Sequence, residues 1–433
     1  MSTAPSTENV DLATFNLFDP GIQNCPYPHY QAMRETAPVF QVPGTPFWLV
    51  TTYDLTLEVI RDWQTYSSNF GATSMPGNQE LQDRLAAVRK EMGGYKPVST
   101  MLTADPPNQT RYRKLVSKAF TPKAISGLEP TIREITVSLI DSWIDKGSIE
   151  FVEAFGVPLP VRVIAKALNV PDDRLADFKR WSDDSIAGIG TNITDDQRVE
   201  AERGIVEFQL YFADQIEQRR KNPQDDILTN LLNARIEPDD LDENGNPLDQ
   251  RELDVPEMLS IIQQLLVAGN ETTTKMLTEM MRLLGENEGE WEKVRADPSR
   301  VRAIVEETLR LSTPTQGMFR VVTKDVTLGG VDLPAGSRLV VMFASANRDA
   351  SMFEDFDSFC PERSNVGEHL AFGKGTHYCL GANLSRLEGK VALEELSKRI
   401  ASISLSPSNT FGYHPSFMLR GLTHLNVDFT KAE

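Results

Sequence analysis

Cysteine is scarce in this chain: three in 433 residues, Cys25, Cys360 and Cys379. An odd number with no framework spacing excludes a disulfide scaffold and fits a reducing cytoplasm. Histidine is nearly as scarce, with five in all, and no Cys-x-x-Cys pair or His-x-x-x-His cluster marks a zinc site. Apolar runs are short. Nowhere do about 18 apolar residues follow one another, so no transmembrane helix and no membrane partner is expected. The polar start, Met1-Ser-Thr-Ala-Pro-Ser-Thr-Glu-Asn-Val, lacks the basic and apolar regions of a signal peptide. A soluble cytoplasmic protein is the expectation. Positive charge is in deficit: 44 Lys and Arg against 62 Asp and Glu leave a formal charge of −18. That argues against nucleic acid as a partner. There is no internal repeat and no low-complexity segment.

What is there is an ordinary globular composition, 40% hydrophobic and 8% aromatic, which can fill a large core. Length alone suggests roughly three domains of about 150 residues, yet no linker divides the chain, and a single domain over 1–433 is expected. Residues 1–27 read as an extended arm. A short helix is expected over 30–35, then two strands over 39–42 and 47–52 joined by Pro43-Gly44-Thr45-Pro46, then a helix from Asp54. Helical patterns dominate 110–233. Residues 237–252 form an acidic stretch that reads as a solvated loop. Asp254-Val-Pro256 opens an apolar-periodic run ending near Leu284-Gly285, with proline and glycine as start and stop signals. About 28 residues at roughly 1.5 Å each span about 42 Å, the width of a domain. Residues 321–341 alternate as short strands. The expected fold class is mainly α with a small β subdomain.

Four motifs carry chemistry. The first is Phe372-Gly-Lys-Gly-Thr-His377-Tyr-Cys379-Leu-Gly381. Glycines let a backbone approach a flat ligand closely, and a thiolate at the mouth of such a loop can be an axial ligand to haem iron, favouring O–O cleavage. A buried free thiol after a turn is the ordinary alternative. The second, Ala268-Gly269-Asn270-Glu271-Thr272-Thr273, lies inside the long helix. Its Asn and Thr compete for backbone hydrogen bonds, Gly269 costs about 1 kcal/mol against Ala, and local penalties of this kind mark functional sites. An exposed polar turn is the alternative. The third is Glu307-Thr-Leu-Arg310, by itself a common solvated helix pair, followed by Pro314, Arg320 and Phe359-Cys-Pro361-Glu-Arg363. The fourth is Asp105-Pro-Pro-Asn-Gln109-Thr-Arg111-Tyr-Arg113-Lys114.

The Cys379 loop resembles the haem-binding signature of the cytochrome P450 family at every fixed position, and the other motifs extend the likeness over nearly the whole chain. The resemblance implies the P450 fold, with a long central helix over haem b. It makes Cys379 the thiolate ligand to iron, with Phe372, Gly373, Gly381 and Ala268 against the ring. It makes Glu271 the acid and Thr272 the alcohol of a pair that delivers protons during O2 reduction; many relatives carry Asp where this chain has Glu271. Helical spacing puts Ile261, Gln264, Leu265 and Ala268 on the face of Thr272, as a pocket wall. Gln264 can meet a polar group of the substrate or turn towards a neighbouring helix. Met318, Phe417 and Met418 match pocket-lining positions, and residues 69–103 match a loop that roofs the pocket. Glu307, Arg310 and Arg363 match a structural charge network, beside which Cys360 would be an inert buried thiol. Gln109 stands where a propionate-binding His is expected, so Arg113, Arg320 and His377 would carry the propionate charge with Gln109 as a neutral helper.

The implied activity is that of a monomeric haem-thiolate monooxygenase. One atom of O2 enters a C–H or C=C bond of an apolar small molecule and the other leaves as water. Two electrons would come from an external ferredoxin and ferredoxin reductase, since no flavin or iron–sulfur module follows the Cys loop. Arg111, Lys114 and Lys374 are the expected basic patch for an acidic ferredoxin. The alternatives are a peroxide-driven hydroxylase and a haem sensor or carrier without turnover; the Glu271–Thr272 pair argues against both. Terpenoid, steroid, fatty acid and aromatic hydrocarbon fit the apolar pocket residues equally.

Overall fold

The structure, a computed structural model, describes residues 10–70, 79–242 and 244–433. The first nine residues of the expected arm and residues 71–78 of the expected roof lie outside the described residues. Contacts divide the chain into two compact units. One comprises Met1–Tyr66, Leu128–Pro160 and Glu271–Glu433; the other comprises Ser67–Gly127 and Val161–Asn270.

The first unit holds the sheets. Strands Val39–Gln41, Phe47–Val50, Arg338–Val341 and Met318–Val322 lie side by side in that order. Phe47–Val50 runs parallel to Arg338–Val341, and the other pairings are antiparallel. The β-branched and aromatic residues of these strands suit a pleated, half-buried surface. Val50, Leu339 and Val341 pack with Val59, Ile60, Phe353 and Leu370 in one core. Leu370 stands two residues before Phe372, so this core anchors the base of the Cys379 loop. A second sheet places Asn426–Lys431 between Ser148–Glu150 and Ile400–Leu405.

Helices meet tightly in the same unit. A Cβ on Gly389, in helix Ala382–Arg399, would stand 2.8 Å from Met276 Cε and 3.2 Å from Val305. The absence of a side chain there lets three helices approach: the one after Cys379, Val301–Ser312 and the C-terminal half of Val255–Glu286. The arm departs from the extended form expected over residues 10–27. Asp19 accepts the N–H of Gly21 at 2.8 Å and of Ile22 at 3.0 Å, capping helix Pro20–Asn24. Phe15 and Leu17 are buried. An Asp-Pro pair that starts a helix, with apolar residues before it to bury, explains the difference.

The second unit is helical, built from Gln79–Met92, Asn108–Ala119, Leu175–Ile186, Asp195–Lys221 and Ile227–Asn233. Its aromatic core includes Trp181 against Phe208, with ring centroids 6.1 Å apart, and Phe208 against Phe212 at 4.8 Å. The acidic stretch 237–252 is not simply solvated. Lys114 Nζ bonds Asp240 at 3.1 Å and the Leu241 carbonyl at 3.0 Å, Lys118 meets Glu237 at 3.1 Å, and Leu248 is buried.

The central helix Val255–Glu286 is continuous over 32 residues. Asp254 Oδ1 accepts the Glu257 N–H at 2.9 Å and Glu257 Oε2 accepts the Asp254 N–H at 2.8 Å, a reciprocal cap of the kind that starts helices. Gly285 does not stop it. A Cβ there would meet Leu405 at 2.7 Å, so this glycine serves packing. No helix among the described residues is long and apolar enough to cross a membrane.

Candidate active site

The Cys379 loop is shaped by its glycines. Gly373 and Gly375 take φ of 65° and 72°, the left-handed region that side chains avoid. A Cβ on Gly375 would also stand 3.2 Å from the Ile60 carbonyl oxygen. The Cys379 N–H donates to the Phe372 carbonyl at 2.9 Å, closing the loop. Gly381 caps helix Ala382–Arg399 and presents its bare Cα side to the sulfur, where a Cβ would lie 4.0 Å from Cys379 Sγ. Cys379 is half-buried; so is Cys360, less enclosed than the sequence suggested.

Two charged braces hold this loop. In the first, Glu307 and Arg310 are both 0% exposed and joined by two bonds of 2.7 and 2.8 Å, with Arg363 Nε 3.6 Å from Glu307. Arg310 also donates to the Asn347 carbonyl at 2.9 Å, and Asn347 Oδ1 accepts the Leu370 N–H at 2.6 Å. The brace thus reaches the base of the Cys loop. The second brace was not legible in the sequence. Glu306 accepts from Arg386 at 2.6 and 2.9 Å and lies 2.9 Å from His369 Nε2. Burial raises the Glu306 carboxyl, but the bonds from His369 and Arg386 outweigh it and hold the group at about 2. The Arg386 guanidinium stacks 4.5 Å over the Phe372 ring. The only signal was the doubled acid Glu306-Glu307, which does not name a partner.

On the central helix, Gln264 and Thr272 are half-buried and Ala268 is exposed, while Leu266 and Met276 are fully buried. Gln264, Ala268 and Thr272 recur every four positions and so share one face of the helix, and Gln263, Val267, Gly269 and Thr274 are half-buried as well. Ile261 and Leu265 are buried. Gln264 turns to the segment before Asn108–Ala119: it donates to Thr100 Oγ1 at 2.7 Å and accepts the Leu102 N–H at 3.2 Å. The polar residues that seemed costly in a buried helix have partners. Asn270 Nδ2 donates to Ser182 Oγ at 2.8 Å, Thr273 Oγ1 donates to Ser385 Oγ at 3.3 Å, and Glu271 Oε2 pairs with Lys275 Nζ at 2.6 Å. Gly269 is explained by Ile164, which a Cβ would meet at 3.2 Å.

The remaining sequence-derived residues divide between the units. Gln109 is buried and Arg113 half-buried in the helical unit. Arg320 is buried, donating to the Phe319 carbonyl at 2.7 Å, and His377 is half-buried, both in the sheet-bearing unit. Met318 packs on the sheet core. Met418 is buried, and Phe417 is buried against Phe18 and Phe319, lining a small cavity with Phe15, Leu17 and Tyr30. The expected basic patch loses Arg111, while Lys114 and Lys374 stay partly exposed in ion pairs. Arg111 is 3% exposed and spends its donors on the Asp249 and Arg251 carbonyls and on Glu257. Lys114 is taken by the acidic stretch, and Lys374 pairs with Glu368 at 2.7 Å. Lys114 meets an acidic residue that follows it in the chain and Lys374 one that precedes it.

These residues fit a haem. Among the described residues the one three-ligand cluster is Glu150, Glu153 and His424, which does not include Cys379. A porphyrin brings the other ligands of its iron, so a single thiolate suits it. At Gly373, Gly375 and Gly381 the loop carries no side chain, which lets a flat ligand approach its backbone closely. The comparisons agree. The cytochrome P450 family profile matches residues 197–399. The 6-deoxyerythronolide B hydroxylase of Saccharopolyspora erythraea is 35% identical over 93% of this chain and 95% of its own. The structure of cytochrome P450 CYP109Q5 from Chondromyces apiculatus matches 98% of this chain and 100% of its own, with a TM-score of 0.83 and 34% identity. CYP109E1 from Bacillus megaterium, solved in complex with testosterone, matches 93% and 99%, with a TM-score of 0.77 and 33% identity. The mainly α fold, the central helix and the identity over nearly full length together make this chain a member of the cytochrome P450 family, an oxidoreductase of the monooxygenase kind.

Proposed function

We propose that the chain, acting as one P450 domain, binds haem b through the Cys379 thiolate and hydroxylates or epoxidises an apolar small molecule. The net reaction of the hydroxylation is RH + O2 + 2 e− + 2 H+ → ROH + H2O. The observation that carries the reading is the closed, glycine-lined Cys379 loop, whose only cysteine stands at the N-terminus of helix Ala382–Arg399. When bound, haem supplies the redox chemistry by which O2 is cleaved and one atom transferred.

The chain's own residues supply the rest. Cys379 donates electron density from the sulfur side. Phe372, Gly373 and Gly381 would leave room for a flat ring, and the small Ala268 would leave room for it as well. Arg113, Arg320 and His377 hold the propionates, with the neutral Gln109 as an additional donor. Thr272 would hold a proton at its hydroxyl, and Glu271 would pass protons to it from solvent, a general acid–base role. Ile261, Leu265, Met318, Phe417 and Met418 remain the pocket candidates. Gln264 acts by holding residues 100–102 against the helix rather than by meeting the substrate. Electrons come from a ferredoxin and its reductase, docking elsewhere than on Arg111.

Two relatives suggest where to begin with substrate: one is named a 6-deoxyerythronolide B hydroxylase and another was solved with testosterone. Large, mostly apolar polycyclic or macrocyclic molecules are the first class to try. Haem-loaded protein titrated with steroids and macrolactones should show a low- to high-spin shift. With O2, NAD(P)H and a surrogate ferredoxin system, it should form a product heavier by one oxygen. Turnover with peroxide but none with O2 would favour the peroxide-driven alternative, and binding without turnover a sensor.

A further inference from the structure

The backbone that leads into the Cys379 loop is tethered at successive positions. The Leu370 N–H donates to Asn347 Oδ1 at 2.6 Å, and the Gly373 N–H donates to the Leu370 carbonyl at 2.9 Å. Between them, the Ala371 N–H donates to His369 Nδ1 at 3.2 Å. A side chain that accepts the N–H two residues on closes a local turn, a task usually done by the short oxygens of Asn, Asp and Ser. His369 does it with a ring that is 4% exposed and that has a second nitrogen. Nδ1 receives a hydrogen, so Nε2 is the nitrogen that carries one, and Nε2 stands 2.9 Å from Glu306 Oε2. The His369 ring also packs on the Phe372 ring, with centroids 5.9 Å apart. The Phe372 carbonyl is the group that receives the Cys379 N–H.

We propose that His369 is a positioning residue for the sulfur ligand, acting through the bond from Ala371 to its Nδ1, an inference that rests on reading Cys379 as the thiolate ligand. Glu306 fixes the ring, the ring fixes the Ala371 amide, and the next residue, Phe372, holds the Cys379 N–H. A metal ligand keeps its geometry through the groups that hold it, and here those groups belong to the backbone. Without an acceptor at Nδ1, the turn loses the bond that sets the direction of the Phe372 carbonyl. Asn at this position could close the turn, but only a ring with two nitrogens also ties the turn to Glu306.

The test compares His369→Leu, His369→Asn and His369→Gln with the unaltered chain. Asn places its amide oxygen where Nδ1 stands and falls short of Glu306; Gln reaches Glu306 and puts no acceptor at Nδ1; Leu does neither. Hydrogen exchange in haem-free protein should show the Ala371 amide equally protected in the unaltered chain and in His369→Asn. In His369→Leu and His369→Gln it should exchange about tenfold faster, the effect of one lost hydrogen bond. In the reduced, carbon monoxide-bound, haem-loaded protein, at equal haem content, His369→Asn should keep the red-shifted Soret band of thiolate ligation. His369→Leu and His369→Gln should lose part of it to the unshifted band of a haem without its thiolate. Should His369→Leu not fold, the Asn and Gln variants carry the same test. A red-shifted band as strong in His369→Leu as in the unaltered chain, or lost as fully in His369→Asn as in His369→Leu, would overturn the role of Nδ1. A band kept in His369→Gln and lost in His369→Asn would place the effect on Glu306 and overturn it too. If the unaltered chain shows no red-shifted band, the thiolate reading falls first and takes this role with it; if it shows the band and the variants do not differ, only the role of His369 falls.

Discussion

At the scale of single residues, Thr272 and Glu388 make opposite demands on the protein. Thr272 is half-buried on the central helix, and in the proposed reading its hydroxyl serves proton delivery rather than packing. Thr272→Ala should leave haem content and fold unchanged and lower product formed per electron by about a hundredfold, the low end of general acid–base effects. Parallel assays of NAD(P)H consumption, peroxide release and product check this. Glu388 has no use in the relay. It is 1% exposed, its Oε2 has no hydrogen-bond partner among the described residues, and burial alone pushes its carboxyl well above the ordinary range. A group raised on folding contributes its full stability below its unfolded value, and that stability is lost as pH rises towards the folded one. Glu388→Gln, a permanently neutral mimic, should therefore raise Tm at pH 8 and change it little at pH 4.5. Thermal melts across that range measure the difference.

At the scale of elements, the Cys379 loop is a product of the sheet core, two braces and the Gly389 crossing. Glu306 ties helix Val301–Ser312 to helix Ala382–Arg399 through Arg386 and to the loop through His369. Its depressed carboxyl contributes stability that is present above the usual 4.5 and lost as pH falls towards about 2. Glu306→Gln should cost about 2 kcal/mol at pH 7, as expected for hydrogen bonds to a charged group. The cost should shrink in the acid window, which urea unfolding at pH 7 and pH 3 would show. The first brace was legible in the sequence because Glu307 and Arg310 lie one turn apart and Arg363 follows a recognisable Phe-x-Pro-x-Arg. The second was not, because Glu306, His369 and Arg386 are 63 and 80 positions apart and only the folded chain brings them together. Gly269 and Gly285 teach the converse. Each looked like a local signal, a penalty or a stop, and each turned out to make room for a side chain distant in sequence.

At the scale of the whole molecule, the helical content, the β-rich part and the continuous central helix followed from hydrophobic periodicity and turn residues, which are local properties. Charge was harder to place. A chain with 62 acidic residues has many partners for any basic side chain, and Arg111 and Lys114 bond to the acidic stretch 237–252. The account as a whole stands on one bond, between Cys379 and haem iron. The most direct measurement is the spectrum of the reduced, carbon monoxide-bound, haem-loaded protein. The unaltered chain should show the strongly red-shifted Soret band of a thiolate-ligated haem, and Cys379→Ser, at equal haem content, should lose it. A red-shifted band that persists in Cys379→Ser, or that is missing from the unaltered chain, would contradict the account.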